Sequence, residues 1–137
     1  MCIRDRYMIC TLAKQKAELK GFSDALMLDY RDQIAETTGA NIFFIKGSEI
    51  HTPIPDCFLD GITRRTVIEI AKGLGMKIIE RVLFLDDLKE FDQCFITGTA
   101  AEVTPVSEID DIKFFVGDEI KKISSAYSEL VNNWSGD

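Results

Sequence analysis

The six residues Asn41 to Lys46, NIFFIK, narrow the fold more than any other segment of the chain. The run is strongly β-prone, and Gly47-Ser48-Glu49 after it reads as a turn. Ile50-His51-Thr52 then forms a second short strand, and the apolar run Ala25 to Asp29, with a turn at Tyr30 to Gln33, forms an earlier one. Three short strands joined by tight turns predict an antiparallel meander. Helical signals flank this sheet. Met8 to Lys20 is rich in helix formers and stops at Gly21. From Ile62, the stretch ITRRTVIEIAKGLG places Val67, Ile70, Ala71 and Leu74 at helical spacing and stops at Gly75.

Beyond that helix, Met76 to Val82 and Gln93 to Thr97 read as strands, and Asp86 to Lys89 as an N-capped short helix. A last helix starts near Asp118, with Ile120, Ile123, Tyr127, Leu130, Val131 and Trp134 on one stripe. Strands and helices come in clusters, so the expected class is α+β rather than a doubly wound sheet. At 137 residues the chain has room for one ordinary domain.

Charge and cysteine usage restrict function. Sixteen Lys and Arg against twenty-three Asp and Glu give a net charge of −7, and the basic pairs Arg64/Arg65 and Lys121/Lys122 stand alone. That pattern argues against a nucleic-acid partner, which clustered cations would serve. No apolar run approaches the roughly 20 residues that cross a bilayer, so no membrane partner is expected. Met1 to Arg6 lacks the apolar core of a secretory signal. The four cysteines show no C-x-x-C spacing, and His51 is the only histidine. Reduced cysteines in a cytoplasmic protein, with no metal site, are the expectation. His51 is expected on a strand or turn with its ring half covered.

Two loops suit an anion. Asp60-Gly61-Ile62-Thr63-Arg64 sets a glycine before a helix start, where unpaired N–H groups and the positive end of the macrodipole meet the Thr63 hydroxyl. Asp60 could equally be no more than the helix N-cap. Thr97-Gly98-Thr99-Ala100-Ala101 follows an apolar strand, and its small residues admit close backbone approach; it could also be a simple turn. A third segment, Ala35 to Asn41, carries Glu36, which by spacing alone reads as a solvated loop acid.

Taken together, the stretches AETTGANIFFIK (35–46), HTPIPDCFLDGITRRTVIEIAKGLG (51–75) and CFITGTAAEVTPVSEI (94–109) resemble the branched-chain amino acid aminotransferases. These are class IV, fold-type IV enzymes that use pyridoxal 5′-phosphate. The likeness covers about Tyr7 to Trp134 and implies the larger, C-terminal domain of that fold, with residues 1–6 a foreign leader and residues 7–137 the domain.

The resemblance implies roles for particular residues. Glu36 bonds the cofactor's pyridine nitrogen, and Tyr7 its phenolic oxygen. Gly61, Ile62 and Thr63 bind the phosphate, with Gly98 and Thr99 completing that site. Thr99 and Ala100 receive the substrate carboxylate. The implied reaction passes amino groups between leucine, isoleucine or valine and 2-oxoglutarate, in a homodimeric or larger enzyme. The family lysine that carries the cofactor as an imine falls five residues before the tyrosine. Here that position is Cys2, and Ile3-Arg4-Asp5-Arg6 replaces the family's Gly-Asn approach. The expectation is a truncated chain that is inactive alone, set against a pseudoenzyme or interaction domain. D-amino acid aminotransferase and aminodeoxychorismate lyase are the alternatives within the fold. The Gly98-Thr99-Ala100-Ala101-Glu102 wording resembles the branched-chain group.

Overall fold

The computed structural model describes residues 14–21, 25–28, 31–37, 40–54, 61–98, 102–109 and 112–134. Its framework is a five-stranded sheet in the order β5-β4-β3-β6-β7. The strands are β3 (Asn41–Lys46), β4 (Glu49–Pro53), β5 (Lys77–Arg81), β6 (Gln93–Gly98) and β7 (Glu102–Pro105). Two small ribbons accompany it, β1 (Leu26–Leu28) with β2 (Ile34–Thr37), and β8 (Glu108–Ile109) with β9 (Ile112–Lys113). Helix α1 covers residues 14–19, α2 is Ile62–Gly73 and α3 is Asp118–Trp134. This is the expected mixed α/β architecture.

The NIFFIK run is the central strand because both of its faces are buried. Phe43 and Ile45 point into one core with Ile50, Val67, Ala71, Phe95, Ile120 and Ile123, beneath α2 and α3. Ile42 and Phe44 point into a second core with Ile34, Leu83, Leu88, Phe91, Cys94 and Phe114. Phe43 stacks on Phe95 across β3 and β6 with ring centroids 4.9 Å apart.

The β3–β4 hairpin forms as the sequence predicts, closed by a two-residue loop in which Gly47 takes φ +62. The expected three-strand meander does not form. The Ala25–Asp29 region supplies β1, which pairs only with β2, while the other edge of β3 is taken by β6, antiparallel and 47 residues further on. Met76–Val82 narrows to β5, which runs parallel to β4 with α2 as the crossover.

Gly21 and Gly75 end their helices with φ of +89 and +83, as their stop signals predict. At Gly75 the closure is a Schellman motif. Gly75 N–H donates to Lys72 O (3.1 Å) and Met76 N–H to Ala71 O (3.0 Å). The buried stripe of α2 is Arg64, Val67, Ile68 and Ala71, whereas Ile70 is half-buried and Leu74 exposed. In α3, Ile120 and Ile123 are buried and Tyr127 packs against the core, but Leu130 and Val131 project beyond the sheet. The short helix is a 3-10 turn, Leu85–Glu90. Asp87 Oδ2 accepts from Phe84 N–H at 2.8 Å, so Asp86 is not its cap.

His51 is on β4 as expected but fully covered rather than half covered. Its ring packs on Phe91 at 5.0 Å, and Nε2 lies 3.3 Å from Glu49 Oε2. Cys94 is free and buried; Cys2, Cys10 and Cys57 lie outside the described residues.

Candidate functional site

Helix α2 begins at Gly61, whose backbone is extended (φ −62, ψ 152). Arg65 N–H donates to Gly61 O at 3.1 Å and closes the first turn. The N-cap residue, a glycine, has no side chain with which to cap this start, and the first turn holds no acid. The start of α2 carries the positive end of the helix dipole. Gly61 is needed for space, since an added Cβ would lie 2.8 Å from Asn41 Oδ1. The N-cap is thus Gly61 itself and not Asp60, which lies outside the described residues.

Asn41 ties this helix start to the end of β6. Asn41 opens β3 and sits directly opposite Thr97, the penultimate residue of β6. Both are buried, and the Thr97 hydroxyl has no hydrogen-bond partner among the described residues. On the next strand the buried Thr52 donates its hydroxyl to Ile42 O at 2.9 Å. A polar patch of Asn41, Thr52 and Thr97 therefore ends the otherwise apolar sheet. Gly98 follows, half-buried and paired with Glu102 of β7.

Arg64 fixes α2 from its first turn. The guanidinium is only 1% exposed, and its Nη2 donates to Pro53 O (3.1 Å) and Glu80 Oε1 (2.9 Å). The helix start is thereby clamped to the ends of β4 and β5. Sequence reading named Arg64 as half of a basic pair and as the end of the first candidate loop; its spacing of three and four from Val67 and Ile68 was the signal that it points inward.

Glu36 is not a loop acid. It lies within β2, half-buried and opposite Met27 of β1. The chain then reverses tightly, with both the N–H and the hydroxyl of Thr37 donating to Ala40 O, at 2.8 and 3.1 Å. That reversal brings the strand of Glu36 directly to Asn41 and the start of β3. The structure thus sets Gly61, which leads the helix carrying Ile62 and Thr63, against Asn41, and Asn41 opposite Thr97, which Gly98 follows. Tyr7, Thr99 and Ala100 lie outside the described residues. Sequence reasoning named Thr97 in the second loop and Asn41 at the end of the Glu36 segment, but missed that the two stand opposite each other across β3 and β6.

Among the described residues, no group of three His, Cys, Asp or Glu side chains is arranged to hold a metal ion, and no helix is long and apolar enough to cross a membrane.

Comparison with known proteins gives this geometry a family. The amino-transferase class IV family model matches residues 4–109. A probable branched-chain-amino-acid aminotransferase of Rickettsia bellii is 50% identical over 104 residues, which are 76% of this chain and 36% of that relative. A T.th. branched-chain amino acid aminotransferase, complexed with N-(5′-phosphopyridoxyl)-L-glutamate, superposes with a TM-score of 0.88 at 39% identity, covering 91% of this chain and 44% of its own. An aminotransferase from Brucella abortus bound to the co-factor PLP superposes at 0.87 and 34% identity, covering 92% and 45%. The chain thus spans well under half the length of each, in their C-terminal part. With three quarters of its residues matched by one family model and half of the aligned residues identical to a relative, the chain belongs to the class IV aminotransferases.

Proposed function

We propose that this chain supplies the phosphate-cradling, C-terminal part of a pyridoxal 5′-phosphate-dependent enzyme that transfers amino groups between branched-chain L-amino acids and 2-oxoglutarate. The observation that carries this reading is the meeting of a glycine-led, acid-free helix start with a buried polar strand end, joined through Asn41. The residues present fit a phosphorylated cofactor. Gly61 admits the close approach of Asn41 to the helix start, α2 offers N–H donors, and the Thr97 hydroxyl is buried without a partner among the described residues. The names of the relatives support the substrate class, and the cofactor derivatives bound to the two structural relatives support the cofactor.

When bound, pyridoxal phosphate supplies the electron sink that stabilises negative charge at the substrate Cα. The chain's own residues bind and orient. The amides of Gly61, Ile62 and Thr63 would hold the phosphate, together with Gly98 and Thr99. Glu36 holds a proton on the ring nitrogen, so that the ring stays electron-poor. Tyr7 bonds the phenolic oxygen. Thr99 and the Ala100 backbone receive the substrate carboxylate. On this reading the family's lysine position falls at Cys2, so the chain by itself lacks the lysine that would hold the cofactor and move the Cα proton, and is expected to be inactive alone. The complete enzyme on this reading is a cytoplasmic homodimer.

The test is a thermal melt of the purified chain with pyridoxal phosphate and with pyridoxal. The reading predicts stabilisation by the phosphorylated compound and little by the other. Equal shifts, or none, would contradict it.

A further inference from the structure

We infer that the Thr97 hydroxyl is an additional phosphate donor of this site, reaching the bound phosphate from the sheet side while α2 reaches it from the helix side; the inference rests on the function proposed above. Its first support is hydrogen-bond accounting. Thr97 is completely buried, yet its Oγ1 has no partner among the described residues. Buried hydroxyls in folded proteins are normally satisfied, so one left open calls for an explanation. Thr52, on the neighbouring end of β4, shows the ordinary solution by donating to a sheet carbonyl, Ile42 O.

The second support is direction. Directly opposed residues of an antiparallel pair project from the same face of a sheet. Asn41 and Thr97 are such a pair, and two residues along, Phe43 and Phe95 stack on the face that α2 covers. Asn41 Oδ1 lies against Gly61, so the Thr97 hydroxyl shares the side on which α2 begins. In the sequence Gly98 and Thr99 follow Thr97 directly.

The third support is composition. Thr97 is the penultimate residue of β6, and the residues before it are Cys94, Phe95 and Ile96. Valine would fill this position with nearly the same shape and no polar atom to bury. A phosphate oxygen suits the threonine hydroxyl, since O–H donation to an ionised acceptor is the stronger class of hydrogen bond.

The experiment compares Thr97→Val and Thr97→Ser with the unaltered chain. Each is melted with and without ligand, and affinity is measured for pyridoxal phosphate, inorganic phosphate and pyridoxal. Thr97→Val is expected to melt at or above the unaltered chain when ligand-free, and to lose about tenfold or more in affinity for both phosphate compounds. Pyridoxal affinity should be unchanged, and Thr97→Ser should keep most of the phosphate affinity. Unchanged phosphate affinity in Thr97→Val would overturn the inference while leaving the cofactor reading intact. So would an equal loss for pyridoxal, or a lower ligand-free melting temperature, since each assigns the hydroxyl a purely structural role. Absence of phosphate-dependent stabilisation in the unaltered chain would overturn the function and the inference together.

Discussion

Asn41 Oδ1 occupies the space that a Cβ on Gly61 would need, at 2.8 Å, so the first residue of β3 fixes how closely α2 approaches the sheet. Gly61 has an ordinary φ, so only space is at stake. Gly61→Ala is expected to cost about 1–3 kcal/mol of stability, in the range of overpacking. In an Asn41→Ala background the same change should cost at least about 1 kcal/mol less, because the two residues are in contact. Denaturant unfolding of the four proteins measures this coupling, and additive costs would separate the two residues.

Arg64 and Glu80 form an asymmetric pair, since the cation is buried and the acid is half exposed. Removing the acid strands a buried charge, whereas removing the cation leaves an acid that water can reach. Glu80→Leu is expected to destabilise by about 3 kcal/mol. Arg64→Met in the Glu80→Leu background should restore part of that loss. A double variant less stable than Glu80→Leu would show that the guanidinium stabilises chiefly through Pro53 O.

The sequence revealed those elements whose signals are local. Gly75 marks the end of α2 because a left-handed C-terminal closure needs it, and NIFFIK declares a strand through its own residue types. The meander failed because β6, far along the chain, takes the edge of β3, and no local pattern encodes that choice. Strand β2 has no β-prone run. It exists because Ile34 is buried and its N–H donates to Leu83 O at 2.7 Å. The same limit applies to the site. The glycine before α2 was legible as a helix start, whereas Glu36 stood out only through family resemblance. The pairing of Asn41 with Thr97 is a matter of cross-strand register, which becomes visible only once β3 and β6 are side by side.

Gln93 links β6 to the start of α3. Its Oε1 accepts from Gly117 N–H at 2.9 Å, and its Nε2 donates to Glu119 Oε2 at 2.8 Å. The Gln93 amide, helped by a backbone bond at Glu119, holds that carboxyl below the usual glutamate value of 4.5. A pKa lowered by folding adds stability that is complete above the unfolded value and is lost as pH falls through the folded one. The stability difference between the protein and Glu119→Gln should therefore be constant from about pH 7 to pH 5 and shrink below about pH 4.5. A difference independent of pH down to 3 would deny the charged form its role.

Burial pushes the Cys94 thiol well above its ordinary range. Reaction requires the thiolate and access to it, and both are withheld. Cys94 should stay unlabelled by iodoacetamide at pH 8 in the native protein and label on unfolding, as read by mass spectrometry of its peptide. Native labelling at the rate of a free thiol would place Cys94 outside the core. Because folding favours the neutral thiol, the contribution of this group is complete below the unfolded pKa and declines as pH rises beyond it.

The central claim, a class IV aminotransferase site assembled on this sheet end, is tested most directly by restoring turnover. The N-terminal region of the Rickettsia bellii relative, up to the residue matching Tyr7, is joined to residues 8–137, and glutamate formation from leucine and 2-oxoglutarate is followed with pyridoxal phosphate present. The account predicts turnover in the hybrid, none above free cofactor in the chain alone, and a loss of about a hundredfold or more in Glu36→Gln with cofactor still bound. A folded, cofactor-bound hybrid that forms no glutamate, or a Glu36→Gln hybrid that turns over normally, would contradict it.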